Sequence, residues 1–321
     1  LENHNSVDEI IIFDKKWNFL RKISFYIKII KLKADISIVL YPAVTAFFMS
    51  FISFAKIRAG VKMVYSYDSF FGIRLNKFKF SKQRPAKIFS PILLTHSVSI
   101  DRRRTHKHFT DSYLELAEKI GLQVSKNLSL ELPNRGHEED QIQSLIKSIG
   151  ISKPILGINL SPKWSLLKWS LKNFENLLET IDKKNDFVKF IIATHDEKYF
   201  SNHYRKDYWF VDLSTLSKLG KIKENSPSWS LKNNRVFFSP MNFNIWSALI
   251  KKCALTITPE SGFVHVAAAH KVPSIIIYPE DPEKVDKQWA PWQSPTTPVY
   301  MEKDSSPINK IINKVQMFQK V

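Results

Sequence analysis

The twelve residues Thr258-Pro259-Glu260-Ser261-Gly262-Phe263-Val264-His265-Val266-Ala267-Ala268-Ala269 concentrate the chemistry of this chain. The run before them, Leu255-Thr256-Ile257-Thr258, has the short apolar character of a strand buried in a parallel sheet. The alanines after them favour helix. A strand that ends in a Pro/Ser/Gly turn and enters a helix aims unpaired amide N–H groups and the positive helix end at the space above the sheet. Phosphate suits that space. Ser261 supplies a hydroxyl, Gly262 permits close backbone approach, and Glu260 can accept hydrogen bonds from sugar or ribose hydroxyls. His265 is either part of an electrostatic set around the phosphate or a packed core histidine. Spacing alone is satisfied equally well by a capped helix whose small residues simply pack close.

Such a turn needs a parallel sheet to present it. Apolar runs at Glu9–Phe13, Ile36–Leu40, Ile155–Leu160, Val188–Thr194, Val236–Ser239, Ala254–Thr258 and Val272–Tyr278 predict strands. Helical spacing predicts helices at Tyr113–Ile120, stopped by Gly121, and at Gln141–Ile149, Asn173–Lys184 and Ser305–Val321. The alternation reads as an α/β chain with parallel sheets covered by helices on both faces. A polar, turn-rich stretch from Glu131 to Asp140 approaches a boundary, so two domains are expected, 1–150 and 151–304, with a C-terminal helix, 305–321, packing back across them.

With 321 residues, 44% apolar, the chain is large enough for sizeable cores. One cysteine, Cys253, excludes an internal disulfide, and no paired Cys and His spacing offers a zinc framework. His106 and His108 lack companion ligands. The net charge of +18 is spread over both halves and favours acidic partners: nucleic acid, anionic lipid or phosphorylated substrates. Arg102-Arg103-Arg104 with Lys107 reads as a solvated basic loop before it reads as a phosphate site. The uncharged stretch from Ile36 to Ala55 is long enough to span a bilayer, but Pro42 and its serines favour a buried strand, a turn and a helix. The chain starts at Leu1 and enters an apolar run almost at once, which reads as a sequence lacking its true start.

The segment Thr258–Ala269, followed by Val272-Pro273 and Tyr278-Pro279-Glu280-Asp281-Pro282, resembles the signature of glycosyltransferase family 9, the lipopolysaccharide heptosyltransferases. Glu260 stands at the family's usual Asp and Pro279 at its usual Gly. Gly157-Ile158-Asn159-Leu160-Ser161-Pro162 and Lys168-Trp169-Ser170-Leu171-Lys172-Asn173-Phe174 resemble the family's Asn-Pro-Gly loop and the Lys-Arg-Trp-Pro that follows it. Alignment on Trp169 puts Leu167 at the phosphate-binding lysine, a role that then falls to Lys168 or Lys163. Ile191–Glu197 is similar to the family's strand and Gly-Gly-x-x-Glu turn, with Glu197 a nucleotide contact. Ala34–Leu40 with Lys56-Ile57-Arg58-Ala59-Gly60 resembles the strand and Arg-x-Gly turn of the acceptor domain.

The resemblance implies two Rossmann-like domains facing across a cleft, the first incomplete at its N-terminus. The second would bind a nucleotide-sugar through Ser161, Lys168, Glu197, Glu260, Ser261, Gly262 and His265. It implies inverting transfer of a sugar, heptose from an ADP-sugar, to a lipid-linked saccharide acceptor of lipopolysaccharide core. Neither cofactor nor obligatory metal is implied, and the place is the inner face of the cytoplasmic membrane, on an anionic lipid surface. No nucleic-acid module is recognisable, so nucleic acid is not an expected partner. The family's general base, Asp of a Gly-Asp loop, has no counterpart, because none of the eight glycines precedes an aspartate. A noncatalytic nucleotide-sugar-binding or scaffold protein is therefore the alternative.

Overall fold

The computed structural model describes residues 4–64, 92–101, 107–125, 128–133, 136–161, 163–167, 169, 171–184, 186–193, 209–211, 234–238, 241–278, 289–301 and 307–319. The chain divides into two units, one of residues 9–128 and 283–290, the other of residues 1–8, 129–282 and 291–321.

The first unit contains α1 (Phe19–Lys31), β1 (Ile36–Val39), α2 (Val44–Ile52), β2 (Ile57–Val64), β3 (His96–Asp101) and α3 (Phe109–Lys119). Its strands are parallel in the order β1-β2-β3. Alternate residues Ala59 and Val61 of β2 and Val98 and Ile100 of β3 face Phe109 and Leu116 of α3 in one core. Gly121, at φ +87°, ends that helix as the sequence predicts.

The uncharged stretch forms the expected strand, turn and helix, and no helix among the described residues is long and apolar enough to cross a membrane. β1 is nonetheless less buried than expected: Ile36 and Ile38, which share one face, are exposed, whereas Val39 on the other face is buried. Two further expectations fail. Residues 9–13 belong to no strand; Phe13 packs its ring against Phe25 and Trp17 instead. The Arg-x-Gly of Lys56–Gly60 is not a turn but part of β2, where a Cβ on Gly60 would lie 2.9 Å from Leu94 Cδ1.

The second unit runs α4 (Gly136–Ser148), β4 (Ile155–Leu160), α5 (Lys163–Leu166), α6 (Leu171–Lys184), β5 (Val188–Ala193), β6 (Trp209–Val211), β7 (Arg235–Phe238), α7 (Phe243–Lys251), β8 (Leu255–Pro259), α8 (Gly262–Ala269), β9 (Ser274–Tyr278), β10 (Thr296–Tyr300) and α9 (Pro307–Gln319). Seven parallel strands stand in the order β10-β9-β8-β4-β5-β7-β6. Side chains alternate across the sheet. Leu156, Ile158 and Leu160 of β4 and Ile191 of β5 meet α6 and α9 on one face; Ile155, Phe190 and Ile192 meet α4, α7 and α8 on the other. Both faces are covered, which is why these strands read as continuous apolar runs. α9 lays Ile311, Ile312 and Val315 into this unit's own core, beside α6 and β10.

Candidate functional site

β4 and β8 are neighbours in the sheet, but the chain leaves them in opposite directions, toward β5 from one and toward β9 from the other. Connections that diverge from two adjacent parallel strands open a crevice at their carboxyl ends. A cavity of about 580 Å³ lies there, in the ordinary range for a small-molecule site, lined by Asn159, Ser161, Lys163, Ala193, Met241, Phe243, Trp246, Ser261, Gly262 and Phe263.

The polar wall is built by cross-strand bonds. Asn159, fully buried at the end of β4, donates from Nδ2 to Thr258 Oγ1 at 2.9 Å and to Ser261 Oγ at 3.2 Å. Ser261 is the N-cap of α8, with extended backbone, and its Oγ accepts from the Phe263 amide at 3.3 Å. The capped-helix reading is thus correct as far as it goes. It does not explain Gly262, where a Cβ would meet no atom of another element within 4 Å among the described residues.

Lys163 opens α5, the short helix after β4. Its ammonium donates to the Glu260 backbone carbonyl and pairs with Glu260 Oε2 at 3.1 Å. Trp164 locks the turn by donating from Nε1 to Asn159 O at 2.7 Å. Met241, Phe243 and Trp246 also line the cavity, with Trp246 packed edge-on against Phe263 at 5.4 Å between ring centres. α7 carries the two aromatics, with Asn242 as N-cap accepting the Ile245 amide at 3.0 Å.

Three cavity residues carry buried polar atoms with no hydrogen-bond partner among the described residues: Asn159 Oδ1, Ser161 Oγ and Trp246 Nε1. An unsatisfied buried polar atom costs about 1–3 kcal/mol. All three are shielded from solvent, so they belong to the wall of the cavity and not to its open face. Cys253, by contrast, is packing: it lies under Gly157, where a Cβ would come within 2.6 Å of its Sγ, and burial pushes its thiol pKa up.

Of the residues singled out in the sequence, Ser161, Ser261 and Gly262 line the cavity together, and Glu260 adjoins it through Lys163. His265 is half-buried in α8 and does not line it. Lys168 and Glu197 lie outside the described residues. Leu167 is buried in the core against Trp164 and Trp169, and among the described residues Lys163 is the cation that lines the cavity. No sequence motif marks Met241, Phe243 or Trp246; the available signal was Asn242, a capping residue just past a buried strand.

The family model for glycosyltransferase family 9 (heptosyltransferase) matches residues 86–316. Among solved structures, a family 9 glycosyl transferase from Veillonella parvula aligns with 97% of this chain and 82% of its own, at TM-score 0.65 and 17% identity. ADP-heptose LPS heptosyltransferase II of E. coli aligns over 92% of this chain and 79% of its own, at TM-score 0.60 and 13% identity. E. coli heptosyltransferase WaaC, solved with ADP, aligns over 93% and 77%, at TM-score 0.56 and 9% identity. At these identities the structural likeness shows the fold. No curated protein matches the chain.

Proposed function

Because this chain belongs to glycosyltransferase family 9, the heptosyltransferase family, we propose that the cavity between β4 and β8 binds the donor of a sugar transfer, a nucleoside-diphosphate sugar. The finer reading is inverting transfer of heptose from an ADP-sugar to a lipid-linked saccharide of lipopolysaccharide-core type. It is set at the cytoplasmic face of an anionic membrane and uses neither metal nor cofactor. The observation that carries it is a cavity at the end of two diverging strands that brings Ser261, at the N-terminus of α8, together with Lys163.

Cleavage of the sugar C1–phosphate bond leaves negative charge on the departing diphosphate. Fixed positive groups aimed at that charge stabilise the transition state more than the ground state. The N-terminus of α8 with Ser261 and Gly262, and the Lys163 ammonium, are the groups so placed. Ser161 lies beside the phosphates, Glu260 accepts from sugar hydroxyls, and Met241, Phe243 and Trp246 hold the flat base. Lys163 does its work by dividing itself between Glu260 and the phosphate.

The noncatalytic nucleotide-sugar binder has in its favour that no glycine of this sequence precedes an aspartate, that Glu260 stands at the family's Asp, and that Leu167 fills the family's lysine position with a buried apolar side chain. The two readings separate by calorimetric titration with ADP and ADP-sugars beside a transfer assay on a lipid A-type acceptor. ADP is expected to bind, unaffected by EDTA, and Lys163→Ala to weaken it about tenfold, the worth of one charge-assisted phosphate contact. Absence of heat with ADP at millimolar concentration, or full affinity in Lys163→Ala, rejects the site; binding without transfer leaves the noncatalytic reading.

A further inference from the structure

α7 and α8 both line the cavity, α7 with Phe243 and Trp246, α8 with Gly262 and Phe263. The placement of one helix against the other therefore sets how far the aromatics stand from the phosphate-suited turn. Two side-chain contacts tie the helices together. At the cavity Trp246 packs against Phe263. At the far end of α8, Ser247 Oγ and His270 Nε2 share a hydrogen bond of 2.8 Å. Adjacent residues of α7 thus grip α8 at positions 263 and 270, about 10 Å apart along its axis. A ring contact by itself is a pivot; a second, directional contact that far away stops the rocking.

Both partners of the far contact are held in place. Ser247 is 1% exposed, so its hydroxyl must find its partner inside the protein. His270 is the C-cap of α8, and the chain turns sharply after it: the Lys271 amide donates to Ala268 O and the Val272 amide to Ala267 O, each at 2.9 Å. This closure puts Lys271 at φ +58°, a left-handed conformation in which glycine is the usual residue and lysine is strained. Burial, and then the Lys251 ammonium, hold the His270 imidazole below the ordinary histidine range, against the pull of Glu139. The ring is neutral near pH 7, and neither it nor Ser247 lines the cavity, so its effect there is geometric and not a charge offered to phosphate.

We propose that the bond between Ser247 and His270 sets the span of the donor site, keeping Phe243 and Trp246 at the distance from Ser261 and Gly262 that a whole nucleoside diphosphate requires. His270 is thereby a positioning residue. The inference rests on the donor-site reading and adds to it the group that fixes the span. A ligand that reaches both the aromatics and the turn gains from a fixed spacing; one that reaches either alone does not.

The test measures binding of ADP, adenosine and inorganic pyrophosphate by ligand-observed NMR for wild type, Ser247→Ala, His270→Ala and His270→Gln. Circular dichroism and urea unfolding are run on the same samples. ADP is expected to weaken about five- to tenfold in both alanine variants, the range of one lost hydrogen bond. Adenosine and pyrophosphate should each change by less than about twofold, because neither needs the span. His270→Gln, whose amide can stand where Nε2 stands, should recover most of the ADP affinity. Unchanged ADP affinity in both folded alanine variants overturns the proposal. So does an equal loss for ADP and for either fragment, which means local damage and not a lost spacing, and so does an ADP loss that glutamine fails to restore. Should His270→Ala not fold, Ser247→Ala, which removes a single oxygen, decides the question. A wild type without affinity for ADP removes the donor-site reading and the span with it; a wild type that binds ADP, with any of the contrary results above, removes the span alone.

Discussion

At the scale of single residues, Asn159 and Ser261 hold the site together by sharing their hydrogen bonds. Ser261 Oγ accepts both from the Asn159 side chain and from the Phe263 amide. Ser261→Ala therefore removes a helix cap and one acceptor of a buried amide, and should lower stability by about 1–2 kcal/mol in urea unfolding. Ser261→Thr keeps the oxygen and should recover most of that loss. A stability loss below the error of the measurement in Ser261→Ala would show the cap to be idle. Ser261 and Gly262 were legible in the sequence as the turn from a buried strand into an alanine-rich helix, a pattern that a helix cap satisfies as well as a phosphate site does. Asn159 stood in a recognisable motif, but its bonds to Thr258 and Ser261 cross about a hundred residues of chain, and no local pattern records them.

Among the elements, α5 decides where Lys163 stands. The four residues Lys163–Leu166 form a short helix directly after β4, so its first residue reaches the cavity and Leu167, just beyond its end, turns into the core. Alignment on Trp169 puts the family's lysine at Leu167; the structure puts a cation four residues earlier. Leu167→Lys should accordingly cost about 2–4 kcal/mol by emptying an apolar site and burying an amine, with no gain in ADP affinity. Tighter ADP binding in a Leu167→Lys protein of unchanged stability would restore the aligned position. β1 carries a related lesson: its apolar residues predict a strand buried on both faces, whereas only the face with Val39 is buried and Ile36 and Ile38 are exposed.

For the whole molecule, every cavity residue belongs to the unit of residues 129–282 and 291–321. ADP at a hundred times its Kd should stabilise that unit by about 2.7 kcal/mol, and hydrogen exchange should slow in β4, β5 and β8 but not in β2 and β3. Uniform slowing across both sheets would mean that the nucleotide acts on the entire chain. The α/β class, the parallel strands of the second sheet and the phosphate-suited turn at Ser261 follow from the sequence by itself, since continuous apolar runs and strand-to-helix turns are local and carry their own physics. The strand order was decided only in the tertiary structure, and with it the adjacency of β4 and β8 and the convergence of Lys163, Asn159, Trp246 and Ser261. Which strand lies beside which depends on how both faces of the sheet bury their side chains at once, a condition on the packed core that no stretch of sequence contains.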